Sequence, residues 1–197
     1  VRDAIGSGGR LVGRVDLAVQ PTLAVRPTVE IVARLRLEHP DVVVRLVSPA
    51  DDETVADLVA SGRCELGLGE RPTDRTLRWQ RIGVEEYVIL HPRWQGEEDG
   101  RIESLADRPV VAPPAGTPTR LVLDEACARA GFSPRVVVEA DHRDAILPLV
   151  VAGVGSAVLP ASSLPLHPDP GVRWAALPGL RRSIGVQHHD DVASAGR

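Results

Sequence analysis

The chain has no methionine and no lysine, only two cysteines and five aromatic residues, and no apolar run long enough to cross a bilayer. Each scarcity excludes something. Without about 18 consecutive apolar residues no segment reads as a membrane helix, and no basic-then-apolar leader marks the chain for export. A translated chain begins with methionine, so the absence of one leads us to expect a fragment or a processed form lacking an N-terminal portion. All 23 basic residues are arginine, which reads as the codon bias of a GC-rich genome. The net charge is −4. With no basic stripe and so few aromatics, this segment lacks the clustered cations that binding nucleic acid demands. Cys64 and Cys127 are too few and too isolated for a disulfide scaffold or a zinc site. They suit a reducing compartment and a role as small buried side chains.

What is present is an alternation of strand-like and helix-like patterns over 197 residues, 43% hydrophobic and 25% charged, enough for one sizeable core or two small ones. "GRVDLAV" alternates Val15, Leu17 and Val19 as a strand does, and Val25, Val29, Val32 and Leu35 then recur at helical spacing up to His39-Pro40. "DVVVRLV" predicts a second strand. "DDETVADLVASG" predicts a helix with an acidic first turn, and "CELGLG" a third strand whose glycines let something approach its backbone. "TLRWQRIG" and "EEYVILHP" read as two strands, and the polar loop "RWQGEEDGR" as a boundary. The pattern then starts again with "RPVVAPP" (strand), "TRLVLDEACARAG" (helix), "PRVVVEA" (strand) and "HRDAILPLVVAG" (helix). Two more strands follow, "VRWAAL" and "RSIGVQHH", and then "DDVASAGR", the first turn of another helix. Strands alternating with helices predict an α/β fold with parallel strands. Two such units form a cleft, the usual place for a small ligand, with ligands beyond the carboxyl ends of the strands. Three loops lie there: "QPT" (20 to 22), "PAGTPT" (114 to 119) and "ADHR" (140 to 143).

The run "VVAGVGSAVLP" imitates a dinucleotide fingerprint but fails it: Val158 stands where a third small residue is needed, and the order is helix then strand rather than strand then helix. Gly153 is predicted to end the helix as a left-handed cap. No catalytic constellation is visible either. G-x-S-x-G is absent, and no His or Asp is tied by sequence to Ser156. The cluster His188, His189, Asp190 and Asp191 looks metal-like, but adjacent histidines in a strand point to opposite faces, so it reads as a solvated loop. No metal, no cofactor and no enzymatic activity are expected.

Order and spacing together resemble the effector-binding domain of LysR-type transcriptional regulators. The resemblance rests on "P...RLRLEHPDVVVRL" followed by "L.ASGRCELGLG", then "EEYVILHP", "SLADRPVVAPPAGT", "ARAGFSPRVVVEADHRDAILPLVVAGVGSAVLP" and "RRSIGV". It implies a two-lobed, periplasmic-binding-protein-like (type 2) α/β fold with two crossover strands. Residues 1–10 would end a linker from a DNA-binding helix-turn-helix domain upstream. Residues 11–88 and 162–197 would form lobe one and 89–161 lobe two. "EEYVILHP" and "SAVLP" would be the crossovers, with Leu90, His91, Gly155, Leu159 and Pro160 as the hinge.

By the same resemblance the domain is cytoplasmic, binds a small carboxylate-bearing effector between its lobes, forms homodimers or homotetramers, and reaches DNA only through the upstream domain. The helix 22 to 38 and strand 41 to 47 would pack on the helix 117 to 130 of a partner. Gln20, Pro21 and Thr22 would open a helix whose free N–H groups favour an anion, Thr22 touching the effector unless it or Gln20 caps the helix. Gly69 would lie at the cleft floor beside a solvated Glu70. Gly116 would admit the ligand to the backbone, with Thr117 and Thr119 beside it, Thr117 serving also as an N-cap. His142 would donate to an anion, whereas Asp141 better suits capping the helix that follows. The rival reading is a solute-binding protein of a transporter.

Overall fold

The computed structural model describes residues 11–49, 53–73, 75–95, 100–165 and 169–190. The expected linker 1–10 and Asp191 with the rest of the tail lie outside them. The chain divides into two compact units, Val1–Val84 with Ser183–Arg197, and Glu85–Arg182.

Unit one contains β1 (Gly13–Val19), α1 (Thr28–Glu38), β2 (Val42–Val47), α2 (Val55–Ala60) and β3 (Leu66–Gly69). β1 runs parallel to β2 on one side and β3 on the other, with Val19 opposite Leu68. A central parallel strand is covered on both faces, and the two-residue period sorts its side chains. Leu17 and Val19 join Leu23, Leu68 and Ile184 in one cluster. Ala18 between them joins Val55, Leu58, Val59, Cys64 and Leu77 in another. The first turn of α2 is closed by a capping box: Asp57 N–H donates to Thr54 Oγ1 (3.2 Å), and Thr54 N–H donates to Asp57 Oδ2 (2.8 Å).

The helix expected over 22 to 38 is broken. Pro21–Leu23 make a single 3-10 turn, and α1 starts only at Thr28. Pro27 accounts for this, since a proline disfavours helical backbone in the residue before it. The buried Thr28 hydroxyl closes the bend by donating to Leu23 O at 2.6 Å.

Unit two contains β5 (Pro109–Ala112), α3 (Pro118–Arg129), β6 (Arg135–Glu139), α4 (Ile146–Val151) and β7 (Ala157–Pro160). Two long strands, β4 (Arg78–Pro92) and β8 (Val172–His188), each contribute to both units. In unit one β8 pairs antiparallel with β3, Leu68 facing Val186. In unit two β4 pairs antiparallel with β7, Val88 facing Leu159, and β5 pairs parallel with β6. Alternation sorts β4 as it does β1. Tyr87 and Ile89 face Leu105, Val110, Leu123, Cys127 and Val158, while Val88 and Leu90 face Val111, Ile146, Val150 and Leu159.

Three expectations are corrected. "TLRWQRIG" and "EEYVILHP" are one strand, as are "VRWAAL" and "RSIGVQHH". The units divide at Val84/Glu85 and Arg182/Ser183 rather than after 88 and 161. The return passage is therefore in β8, and "SAVLP" is β7, held inside unit two. Its place is fixed by pairing with β4 and by Ser156, whose N–H donates to Pro109 O and whose O accepts from Val111 N–H, both at 2.8 Å.

The glycine turn between α4 and β7 splits its two tasks as the sequence suggested only in part. Gly153 has φ +83° and donates to Val150 O at 2.9 Å, while Val154 N–H donates to Leu149 O at 3.1 Å. Those two bonds are a Schellman cap. Gly155 is buried, and a Cβ there would lie 2.6 Å from Pro109 O, so the position needs glycine for close backbone contact. Leu90, His91, Leu159 and Pro160, expected at the hinge, are likewise buried in unit two.

Candidate functional site

Parallel pairing brings strand ends together, and in each unit it does so at the loops singled out by sequence. In unit one, β1 and β3 end side by side at Gln20 and Gly69. Gln20 N–H donates to Leu68 O at 2.9 Å. Its side-chain Oε1 accepts from Glu70 N–H and its Nε2 donates to Glu70 Oε1, both at 3.3 Å. Gln20 thus fastens the two strand ends instead of capping a helix, and its long bonds are easily exchanged. Glu70, expected to be solvated, is tied into this network. Gln187, on β8, was not singled out by sequence reasoning. It is 3% exposed and donates from Nε2 to Glu70 O at 2.7 Å, while its Oε1 is buried without a hydrogen-bond partner. Gly69 makes room for these two amides, since a Cβ there would sit 3.3 Å from Gln187 Nε2 and 3.5 Å from Gln20 Oε1. Pro21 is exposed and Thr22 half-buried in the short turn that follows.

In unit two, Ala112 lies opposite Glu139, and Ala140 N–H donates to Ala112 O at 2.9 Å. The loops after β5 and β6 therefore leave side by side. Gly116 is exposed with φ +86° and open space where a side chain would be. Thr117 is the N-cap residue of α3, but its hydroxyl donates to Pro114 O at 2.8 Å rather than accepting from the helix. Thr119 is turned inward, 8% exposed. Arg120, which the sequence did not mark, braces the loops: it donates to Asp124 (2.9 Å), Pro113 O (3.3 Å) and Glu139 Oε2 (3.3 Å).

The expected helix start at His142 is a 3-10 turn, Arg143–Ala145, with His142 as its N-cap residue and no side-chain cap bond. Asp141 is therefore not a helix cap: α4 begins only at Ile146, after Ala145. Asp141 and His142 are both exposed.

A Ser–His pair that the sequence could not reveal sits in the interior of unit two. His91 Nδ1 is 2.7 Å from Ser156 Oγ and 3.3 Å from Arg108 Nη1, and His91 Nε2 is 3.3 Å from Ser104 Oγ. A guanidinium can only donate, so Nδ1 accepts and the ring proton belongs on Nε2. With His91 2% and Ser156 0% exposed, no substrate reaches the pair, and its work is to tie β4 to β7. His189 and Asp190 of the "QHHDD" cluster are likewise committed locally. His189 Nε2 donates to Val59 O at 2.9 Å, and Asp190 pairs with Arg78. Among the described residues no group of His, Cys, Asp and Glu is arranged to hold a metal. Both thiols are buried. Burial raises the Cys127 thiol to about 11 and pushes Cys64 upward as well, the direction that disfavours the reactive thiolate.

Residues 8–194 match the model of the LysR substrate binding domain. The chain belongs to that family. Curated relatives include the uncharacterized HTH-type transcriptional regulator YfeR of Shigella flexneri, 25% identical over 84% of this chain and 55% of its own length. Another is the HTH-type transcriptional regulator ShiR of Corynebacterium glutamicum (strain R), 27% identical over 95% of this chain and 65% of its own length. The chain thus spans about 55% to 65% of these LysR-family relatives. Among solved structures, the cofactor-binding domain of the Cbl transcriptional regulator shares the fold, with a TM-score of 0.78 at 21% identity, covering 90% of this chain and 81% of that one. The periplasmic-binding-protein-like α/β fold and the regulator family stand over the transporter alternative. The family is one of transcriptional regulators, not enzymes.

Proposed function

We propose that this LysR domain is the effector-sensing and oligomerising part of a bacterial regulator that works in the cytoplasm and reaches DNA through a helix-turn-helix domain preceding it. The observation that carries the reading is the repeated strand-end arrangement. Gln20, Pro21, Thr22 and Gly69 gather in unit one, and Gly116, Thr117, Asp141 and His142 in unit two, at the carboxyl ends of parallel strands or on the loops that follow them, where α/β folds bind ligands. Amide, hydroxyl and imidazole groups with exposed backbone suit a small polar molecule bearing a carboxylate. An effector of this kind acts by its differential affinity for two conformations.

Oligomerisation is supported by apolar side chains facing out. Val29 (57%), Leu37 (86%) and Val43 (60%) on α1 and β2, with Leu121 (56%) on α3, are exposed, as a partner chain would require. α1 and β2 would pack on α3 of a second copy.

Thermal unfolding followed across a panel of small carboxylic acids tests the sensing role. A stabilising acid is expected, with Thr22→Ala and Thr117→Ala each weakening its affinity severalfold; unchanged affinity in both variants would remove these loops from the site.

A further inference from the structure

Arg143 opens the turn after β6, and its Nη1 is buried with no hydrogen-bond partner. Among the described residues no ion pair to it is formed, although the charges of Asp144 and Arg182 act on it. Burial and the like charge of Arg182 pull its pKa below the ordinary guanidinium value, Asp144 opposing them. The buried acid nearby in this charge system is already occupied. Glu85 Oε2 accepts from Arg182 Nε and Nη2, each at 2.7 Å, and Glu85 Oε1 accepts from Ser162 N–H at 2.6 Å. The next residue, Ser163, has a hydroxyl that is also buried without a hydrogen bond. Arg143 is half-buried, but a buried N–H donor left without an acceptor is costly, and a guanidinium presents parallel N–H groups matched to an oxyanion.

We propose that Arg143 is the anion-binding residue of unit two, taking the carboxylate of the effector or another small oxyanion through its guanidinium, whose Nη1 has no partner within the protein. This rests on the effector reading above. It adds the residue that reads charge, which the flanking Asp141 and His142 do not supply.

The test uses the whole chain, with succinate, inorganic phosphate and neutral succinamide as probes, read by calorimetric titration and thermal unfolding of wild type, Arg143→Gln and Arg143→Lys. An oxyanion is expected to bind wild type, to weaken tenfold or more in Arg143→Gln, and to recover partly in Arg143→Lys, while succinamide does not bind. Without any oxyanion, Arg143→Gln should melt no lower than wild type, because it removes a buried N–H group that has no hydrogen-bond partner. Equal binding of succinate to wild type and Arg143→Gln would overturn the assignment and leave the carboxylate effector intact. Phosphate binding that depends on Arg143, with no acid of the panel bound, would keep the assignment and overturn the carboxylate effector. No binding of either oxyanion, or an Arg143→Gln melting several degrees lower without them, would overturn the assignment.

Discussion

Unit one and unit two end their parallel strands alike and finish those ends differently. In unit one two neutral side-chain amides gather on Glu70: Gln20 accepts from its N–H and donates to its carboxylate, and Gln187 donates to its carbonyl. Its charged pairs lie nearer the surface, as where Arg14 and Arg45 both meet Asp16. In unit two charge is taken inside: Glu85 and Arg182 are 8% and 6% exposed, and the half-buried Arg143 keeps its Nη1 without a partner. A surface pair contributes little to stability, whereas a buried pair broken on one side leaves a stranded charge. The same architecture therefore carries adaptable hydrogen bonding in one half and fixed, costly charge in the other.

The contrast breaks most sharply at Glu85. Glu85→Ala removes the buried carboxylate that Arg182 is paired with and is expected to cost about 3 to 5 kcal/mol in urea unfolding. Replacing both partners, Glu85→Leu with Arg182→Met, should recover most of that loss; a double variant as unstable as the single one would mean that charge is not the cause. Next comes Gly155→Val, which sets a branched side chain against the Pro109 carbonyl and should cost about 3 kcal/mol. A mild effect there would mean that the α4–β7 turn is loosely packed.

The smallest change lies in unit one. Thr54→Ala removes half of the capping box and should cost about 1 kcal/mol at neutral pH. Bonds from the Thr54 hydroxyl and backbone hold the Asp57 carboxyl below its usual range. A depressed folded-state pKa contributes stability that is present above the unfolded value, about 3.9, and is lost as pH falls through the folded one. The difference between wild type and Thr54→Ala should therefore narrow below that range, and a difference that is flat with pH would show that Asp57 takes no part.

The order of elements was legible because burial leaves a period in the sequence: Leu17, Ala18 and Val19 alternate between two clusters much as Val15, Leu17 and Val19 suggested. Gly153 was legible too, standing where an apolar helix stops. The length of β4 was not. Its first half is largely exposed and its second half buried, so a pattern that reports burial read one strand as two. Nor was Arg143 legible at the site, since in "ADHRDA" it stands among charges that all look solvated. Glu85 hides for the same reason, its partner lying 97 positions away. Tertiary neutralisation decides which of these charges matters, and no spacing rule reports it.

Glu85 and Arg182 are the first and last residues of unit two, and they are clasped at 2.7 Å. The whole intervening stretch thus begins and finishes at one doorway, as a cassette spliced into a host does. Neighbouring strands lie about 5 Å apart, so a linker of a few residues suffices to join its cut ends. The segment could be permuted, excised or grafted at that doorway without stretching the chain.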